Sequence, residues 1–150
     1  MEASIFENFE TMTGLEFIQS LIGEEPHAPM HVTFGIRVLA ARDGYAELAG
    51  MPSEKFYNPM RRVHGGFAAT LIDSALGSAV MTKLGKGVGV GTIELKVSYV
   101  GRIDVAVGEV VCRASVLHAG RTMLTAEARI EDQSKKLYAH GTGTFLVYPK

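Results

Sequence analysis

The chain has 150 residues, no tryptophan and a single cysteine, Cys112, so no disulfide can form within it. A cross-linked scaffold is excluded, and the default is a reducing compartment, here the cytoplasm. An excess of charge of either sign is also missing. Fifteen Lys and Arg face sixteen Asp and Glu, for a formal net charge of −1, which removes the electrostatic case for nucleic acid or an anionic membrane. The opening MEASIFENFE is acidic and lacks the basic and apolar regions of a signal peptide. The longest apolar stretch, Phe67 to Met81, is interrupted by Asp73, Ser74 and Ser78 and is too short to span a bilayer. Five prolines leave no Pro-rich linker, and neither repeats nor low-complexity tracts occur. These absences point to one soluble cytoplasmic domain over residues 1–150.

What is present is a chain 47% hydrophobic and 21% charged, enough apolar surface for a core. In TMTGLEFIQSLI, residues 11–22, Leu15, Ile18 and Ile22 recur at three- and four-residue spacing, which predicts a short amphipathic helix. Gly23 to His31 holds two prolines and reads as loop. Residues 1–33 therefore form an N-terminal helix and loop ahead of a core over 34–148. Phe34, Ile36, Val38 and Ala40 alternate, as do Tyr45, Glu47, Ala49 and Met51, with the hairpin signal Asp43-Gly44 between them. Residues 52–63 are irregular. The one long helix is expected over 65–84, with Ala68, Leu71, Ile72, Ala75 and Ala79 on a continuous face and Gly85 as its stop. Strands are expected around 93–99, 108–118, 124–130 and 137–147, with Leu124, Ala126, Ala128 and Ile130 sharing a face. The pattern predicts α+β architecture, one long helix wrapped by a curved antiparallel sheet that continues as a meander. A sheet of about six strands leaves an edge exposed, and pairing two copies edge to edge would bury it, so a dimer or larger assembly is expected.

Asp73 stands out, because an ionised carboxylate in an apolar helix is costly unless it meets donors or solvent. An isolated Asp in such a helix usually touches solvent or a nearby hydroxyl. Its context is His64-Gly65-Gly66 at the helix start, where exposed backbone N–H groups and the helix dipole suit a developing oxyanion. Eight residues separate Gly65 from Asp73, about 12 Å along a helix, too far to share one carbonyl within a chain. Two antiparallel helices related by a two-fold would bring Gly65 of one protomer to Asp73 of the other. Asn58, before Pro59, either orients water or a carbonyl or simply forms the turn. Other chemistries lack their residues. The histidines at 27, 31, 64, 118 and 140 have no metal-ligand spacing, so no metal is expected. GKGVGVG at 85–91 matches no phosphate-loop pattern, and no G-x-S-x-G elbow exists. Arg102, Arg121, Lys83 and Lys86 are candidate partners for an anionic ligand tail.

Asn58, His64-Gly65-Gly66 and Asp73 within HGGFAATLIDSALGSAV resemble the hotdog-fold acyl-CoA thioesterases of the PaaI-like (phenylacetic acid degradation) subfamily, in the 4-hydroxybenzoyl-CoA thioesterase superfamily. The resemblance runs on through GTIELKVSYV (91–100), HAGRTMLTAEARIED (118–132) and KLYAHGTGTFLV, covering residues 34–148. It implies a hotdog fold of six antiparallel strands around one helix, in a homodimer with shared sites that commonly pairs again into a tetramer. It further implies an acyl-CoA substrate, no cofactor, and no metal. By position, the Gly65 N–H would polarise the thioester carbonyl, and Asp73 of the partner protomer would act as nucleophile or general base. Asn58 would position water or the carbonyl, His64 would shape the turn, and Thr92 would hold the hydrolytic water. Gly66, Thr92, His118, Gly120 and Arg121 would contact substrate, the last two near the CoA nucleotide. The chain departs from the family at Gly101-Arg102, where a proline is common. Two rival readings are a non-catalytic acyl-CoA-binding module and an enoyl-thioester hydratase. The His64-Gly65-Gly66…Asp73 arrangement fits the hydratase poorly.

Overall fold

Leu124, Ala126, Ala128 and Ile130 alternate with polar neighbours, and in the computed structural model all four are buried along one face of a strand. The structure describes residues 5–23, 25 and 28–148; His27 lies outside them. Three short helices, Ile5–Thr11 (α1), Gly14–Ser20 (α2) and Pro29–Phe34 (α3), precede the hairpin of Ile36–Arg42 (β1) and Tyr45–Gly50 (β2). A loop carrying one 3-10 turn leads to the long helix Gly65–Met81 (α4). Strands Gly89–Tyr99 (β3), Val110–Ala119 (β4), Met123–Glu131 (β5) and Leu137–Tyr148 (β6) follow. They complete one antiparallel sheet in the order β1-β2-β4-β5-β6-β3, and α4 packs against five of its strands and touches β1 as well.

The order corrects the expected meander in one respect. β4, β5 and β6 do run as a meander, but β3 crosses to the far edge and pairs with β6, Thr92 opposite Phe145 and Tyr99 opposite Ala139. Strand alternation specifies which face a residue takes and says nothing about which strand lies beside it.

The N-terminal segment differs more. The helix expected over 11–22 is the shorter α2, and α1 precedes it where no helix was expected; Thr13 caps α2, its hydroxyl accepting from Glu16 N–H while the Glu16 carboxylate accepts from Thr13 N–H at 2.8 Å. Ile18 and Leu21 are buried there, whereas Ile22 is 43% exposed. The stretch expected as loop ends in helix α3. Pro29 fits its first turn, where a missing N–H costs nothing, and Gly35 closes it at φ 64°. Phe34 therefore ends a helix and does not start β1. α4 stops at Met81, short of Gly85, with Thr82 as its C-cap. The buried Thr82 hydroxyl donates to Ala79 O at 2.6 Å and accepts from Gly44 N–H at 2.8 Å, which ties the β1–β2 turn to the helix end.

The core lies between α4 and the concave face of the sheet, centred on Phe67, Leu71, Ile72, Leu76 and Phe145. β6 carries glycine where the helix comes closest. A Cβ at Gly141 would sit 2.5 Å from the Lys96 carbonyl oxygen and 3.2 Å from Ile72 Cγ2. One at Gly143 would sit 3.0 Å from Leu76 Cδ1. The two sheet edges are unlike. A short parallel bridge between Ile22 and Val38 partly covers β1. Among the described residues no strand lies on the outer side of the eleven-residue β3, and Ile93 and Tyr99 are 54% and 55% exposed.

The β5–β6 turn expected at Asp132 to Ser134 is organised by one carboxylate. Asp132 Oδ1 accepts from the Ser134 hydroxyl at 2.7 Å, from Ser134 N–H at 2.8 Å and from Lys136 N–H at 3.1 Å. The Tyr138 hydroxyl donates to Oδ2 at 3.0 Å. These donors, the Ser134 hydroxyl foremost, hold the Asp132 carboxyl down at about 2, against an ordinary 3.8. A depressed carboxyl stabilises the fold only while ionised. Its contribution is complete above the unfolded value and is lost as pH falls from about 3.8 towards about 2. Thermal melts should show Asp132→Asn less stable than wild type near neutral pH, with the difference shrinking across that acid window. A constant difference at all pH values would remove Asp132 as the cause.

Candidate active site

The loop before α4 is built on Asn58. Its Oδ1 accepts from Met60 N–H at 2.9 Å and Arg62 N–H at 3.2 Å, and its own N–H donates to Arg62 O at 2.7 Å. The side-chain oxygen is thus committed to the turn, and the amide nitrogen is the group left to meet a ligand. The chain then doubles back through a Tyr57–Val63 bridge, and His64 N–H donates to Phe56 O at 2.7 Å, which sets His64 at the helix start.

His64 is the N-cap of α4. Its backbone is extended, and its Nδ1 accepts from Gly66 N–H at 2.8 Å, the job usually given to Ser, Asp or Asn. Phe67 N–H donates to the His64 carbonyl at 3.0 Å. Of the first three helix amides, Gly65 alone has no acceptor among the described residues. An unsatisfied N–H at the positive end of a 17-residue helix is a donor waiting for an oxygen that is gaining charge.

Two turns further on, Asp73 projects from the side of α4 next to β3. It is half-buried, and Thr92 donates its hydroxyl to Oδ1 at 2.8 Å. A β-bulge between Thr92 and Glu94 keeps Thr92 on the helix side while Glu94 pairs on the outer face with Thr144. The carboxylate therefore meets both solvent and a hydroxyl, which removes the cost of burying it unpaired. Thr70, Ser74 and Ser78 follow one another at four-residue spacing along α4; Thr70 and Ser74 are half-buried, while Ser78 is buried at 7% exposure.

Tyr99, at the other end of β3, was expected only as a strand residue. Its hydroxyl donates to the Gly65 carbonyl at 2.8 Å, and its ring lies against the Gly65 Cα. Two clefts flank this point. One, of about 190 Å³, is lined by Val63, Gly65, Phe67, Tyr99, Arg102 and Ile103. The other, of about 320 Å³, is lined by Phe34, Phe56, Tyr57, His64, Phe67 and Thr70. In the second, the rings of Phe34, Phe56 and Phe67 stack in series at 5.0 and 5.4 Å. The sequence carried no signal for that stack, whose members come from α3, the loop and α4.

The remaining candidates lie elsewhere. His118, Gly120 and Arg121 sit at the β4–β5 turn, at the same end of the sheet as Thr92, since Thr92 pairs with Phe145, Phe145 with Leu124 and Leu124 with Ala119. Both side chains are exposed, and no ion pair holds Arg121 among the described residues. The structure thus gathers His64, Gly65 and Gly66 at one point, and Asp73 and Thr92 at another. Burial pushes the Cys112 thiol far above its ordinary value, so it is no nucleophile. No helix among the described residues is long and apolar enough to cross a membrane.

A six-stranded antiparallel sheet wrapped on one long helix defines a hotdog fold, and similarity to known proteins makes it that of a thioester hydrolase. The sequence pattern of the thioesterase superfamily matches residues 60–139, over half the chain, and the chain belongs to that family. A protein of Halobacterium salinarum named as an esterase is 38% identical over 125 residues, 76% of this chain and 81% of its own. The solved structure of a conserved Pseudomonas aeruginosa protein superposes with a TM-score of 0.74 at 34% identity, covering 81% of this chain and 94% of that one. The Escherichia coli PaaI protein, from the phenylacetic acid degradation operon, shares the fold at a TM-score of 0.74 and 19% identity, over 81% and 86% of the two chains.

The N-cap offers a direct check. His64→Ala should lower stability by about 1 kcal/mol in urea unfolding, and His64→Asn, another capping residue, should restore most of it. Equal losses in both would show that the Nδ1 contact with Gly66 carries no stability.

Proposed function

We propose that the protein hydrolyses acyl-CoA thioesters to the free acid and CoA at sites shared between two protomers. The observation that carries this reading is the placement of the two candidate groups along one open edge strand. Asp73 is tied to Thr92 and Gly65 to Tyr99, and these β3 residues are seven positions, or about 20 Å, apart. The helix spacing alone keeps Gly65 and Asp73 of one chain about 12 Å apart. An antiparallel β3–β3 pair with its two-fold at Lys96 sets Thr92 of one chain opposite Tyr99 of the other once the bulge between Thr92 and Glu94 is counted. That operation brings the free Gly65 amide of one protomer to Asp73 of its partner. The uncovered β3 edge with exposed Ile93, Leu95 and Tyr99 supports the pairing, because an unpaired apolar edge of eleven residues invites a second strand.

In this arrangement the thioester carbonyl oxygen accepts from Gly65 N–H, where the helix dipole stabilises the charge it gains. The partner's Asp73 either adds to the carbonyl carbon or takes a proton from the water that does. In the first case the carbon–sulfur bond breaks to leave an acyl–Asp73 anhydride that water then cleaves; in the second the water oxygen goes directly into the acid as that bond breaks. In both, the thiolate leaves as CoA with a proton that comes from the water. Thr92 holds one oxygen of the carboxylate and leaves the other free for that step. The Asn58 amide nitrogen is free to direct water or the carbonyl. Gly66 keeps the helix start open to the substrate. The exposed His118 and Arg121, with the half-buried Gly120 between them, lie at the Thr92 end of the sheet, where a phosphorylated nucleotide could rest against the Arg121 guanidinium. No cofactor is needed for this chemistry, and cytoplasmic CoA esters are the expected substrates.

A thiol-release screen over aliphatic and aromatic acyl-CoAs should find a substrate, and Asp73→Asn should lower its turnover by at least about 100-fold. Wild-type turnover by that variant would sink the mechanism. Site sharing has a separate test. Heterodimers of an Asp73→Asn chain with a Gly65→Val chain retain one intact site if Gly65 and Asp73 come from different protomers, and none if they come from the same one. Recovered activity on mixing two inactive homodimers supports sharing, and its absence in verified heterodimers refutes it.

A further inference from the structure

We propose that Tyr99 is the positioning residue that aims the Gly65 amide, an inference that rests on the thioester-hydrolase reading above. A glycine pair at a helix start is the least constrained backbone available, yet an oxyanion donor works only if its direction is set in advance. Two peptide planes decide where the Gly65 N–H points. The His64–Gly65 plane contains that N–H, and it is held on its carbonyl side by Phe67 N–H at 3.0 Å. The Gly65–Gly66 plane is held on its N–H side by His64 Nδ1 at 2.8 Å and on its carbonyl side by the Tyr99 hydroxyl at 2.8 Å. Of these three restraints only the Tyr99 hydroxyl comes from outside the helix start. It makes the sheet, and not the flexible Gly-Gly segment, the reference frame for the amide.

The same contact accounts for glycine at position 65. Gly65 lies in a right-handed helix and needs no positive φ. A Cβ there would instead lie 3.1 Å from both Cζ and the hydroxyl oxygen of Tyr99 and 3.3 Å from Cε1. The missing side chain is the space the tyrosine ring occupies, so Gly65 and Tyr99 act as a matched pair. Tyr99 is 55% exposed in the single chain, so core packing does not explain its position. It also stands where β3 ends, as Thr92 stands near the strand's start, so one strand sets the position of both reacting groups.

Tyr99→Phe removes the hydroxyl and keeps the ring. With the acyl-CoA that wild type turns over fastest, kcat should fall roughly 10- to 100-fold while KM stays within about twofold. Backbone amide exchange at Gly66, whose N–H is bonded to His64 Nδ1 in the plane that Tyr99 holds, followed by NMR without substrate, should quicken by about tenfold, as expected when a local restraint is lost. The melting temperature should stay within a few degrees, which excludes general destabilisation. Wild-type kcat in Tyr99→Phe, a loss expressed only in KM, or unchanged amide exchange would each overturn the proposal. If wild type releases no thiol from any acyl-CoA, the hydrolase reading fails, and the exchange measurement still decides whether Tyr99 restrains the amide. As a second variant, Gly65→Ala should lose little further activity when Tyr99→Phe is already present, because both break the same pairing. Full additivity would count against a matched pair.

Discussion

Two side-chain hydroxyls join the central helix to one edge strand, Thr92 at Asp73 and Tyr99 at Gly65. Each bond is worth only about 1 kcal/mol net, so neither decides whether the chain folds. Their importance is positional. A helix packed by apolar contacts alone can slide or roll by fractions of an ångström at little cost. Bonds at its start and at its middle give α4 one setting relative to β3, and with it one setting for the amide and the carboxylate.

That setting depends on how closely the helix can lie in the sheet. Small residues do this work on both sides: Ala68, Ala75 and Ala79 on α4, Gly141 and Gly143 on β6. Larger side chains, Phe67, Leu71, Ile72 and Leu76, fill what remains and exclude water. The two edges then diverge. A bridge from Ile22 partly covers β1, and β3 stays open with apolar side chains on it. The strand that positions the site is thus also the strand available for pairing, so assembly and site geometry are governed by the same backbone.

Much of this was legible locally. Alternation in β5 specified its buried face residue by residue, because a strand's side-chain period is two and one face meets the core. Asp43-Gly44 announced its hairpin, since a tight turn needs the positive φ that Gly44 adopts at 72°. Asp73 drew notice because a charge among alanines and leucines is expensive. The misses share a different physical character. Thr13 and Glu16 set the start of the N-terminal helix at Gly14 through a capping box, and Pro29 with Gly35 made a helix from an expected loop. Both signals were present in the residues, but hydrophobic spacing and a proline count outweighed them.

The residues alone determined the secondary structure of the core, the small-residue helix, the Gly-Gly start and the placement of one acid eight residues after it. They also determined that the acid and the glycine cannot meet within one chain, because the helix rise is invariant. Only the tertiary structure decided that β3 crosses to lie beside β6, that Thr92 reaches Asp73, and that Tyr99 reaches Gly65 from 34 residues away. The reason is that hydrogen-bond partners distant in sequence are chosen by strand order and register. These follow from the packing of the whole sheet around the helix, and no local pattern encodes them.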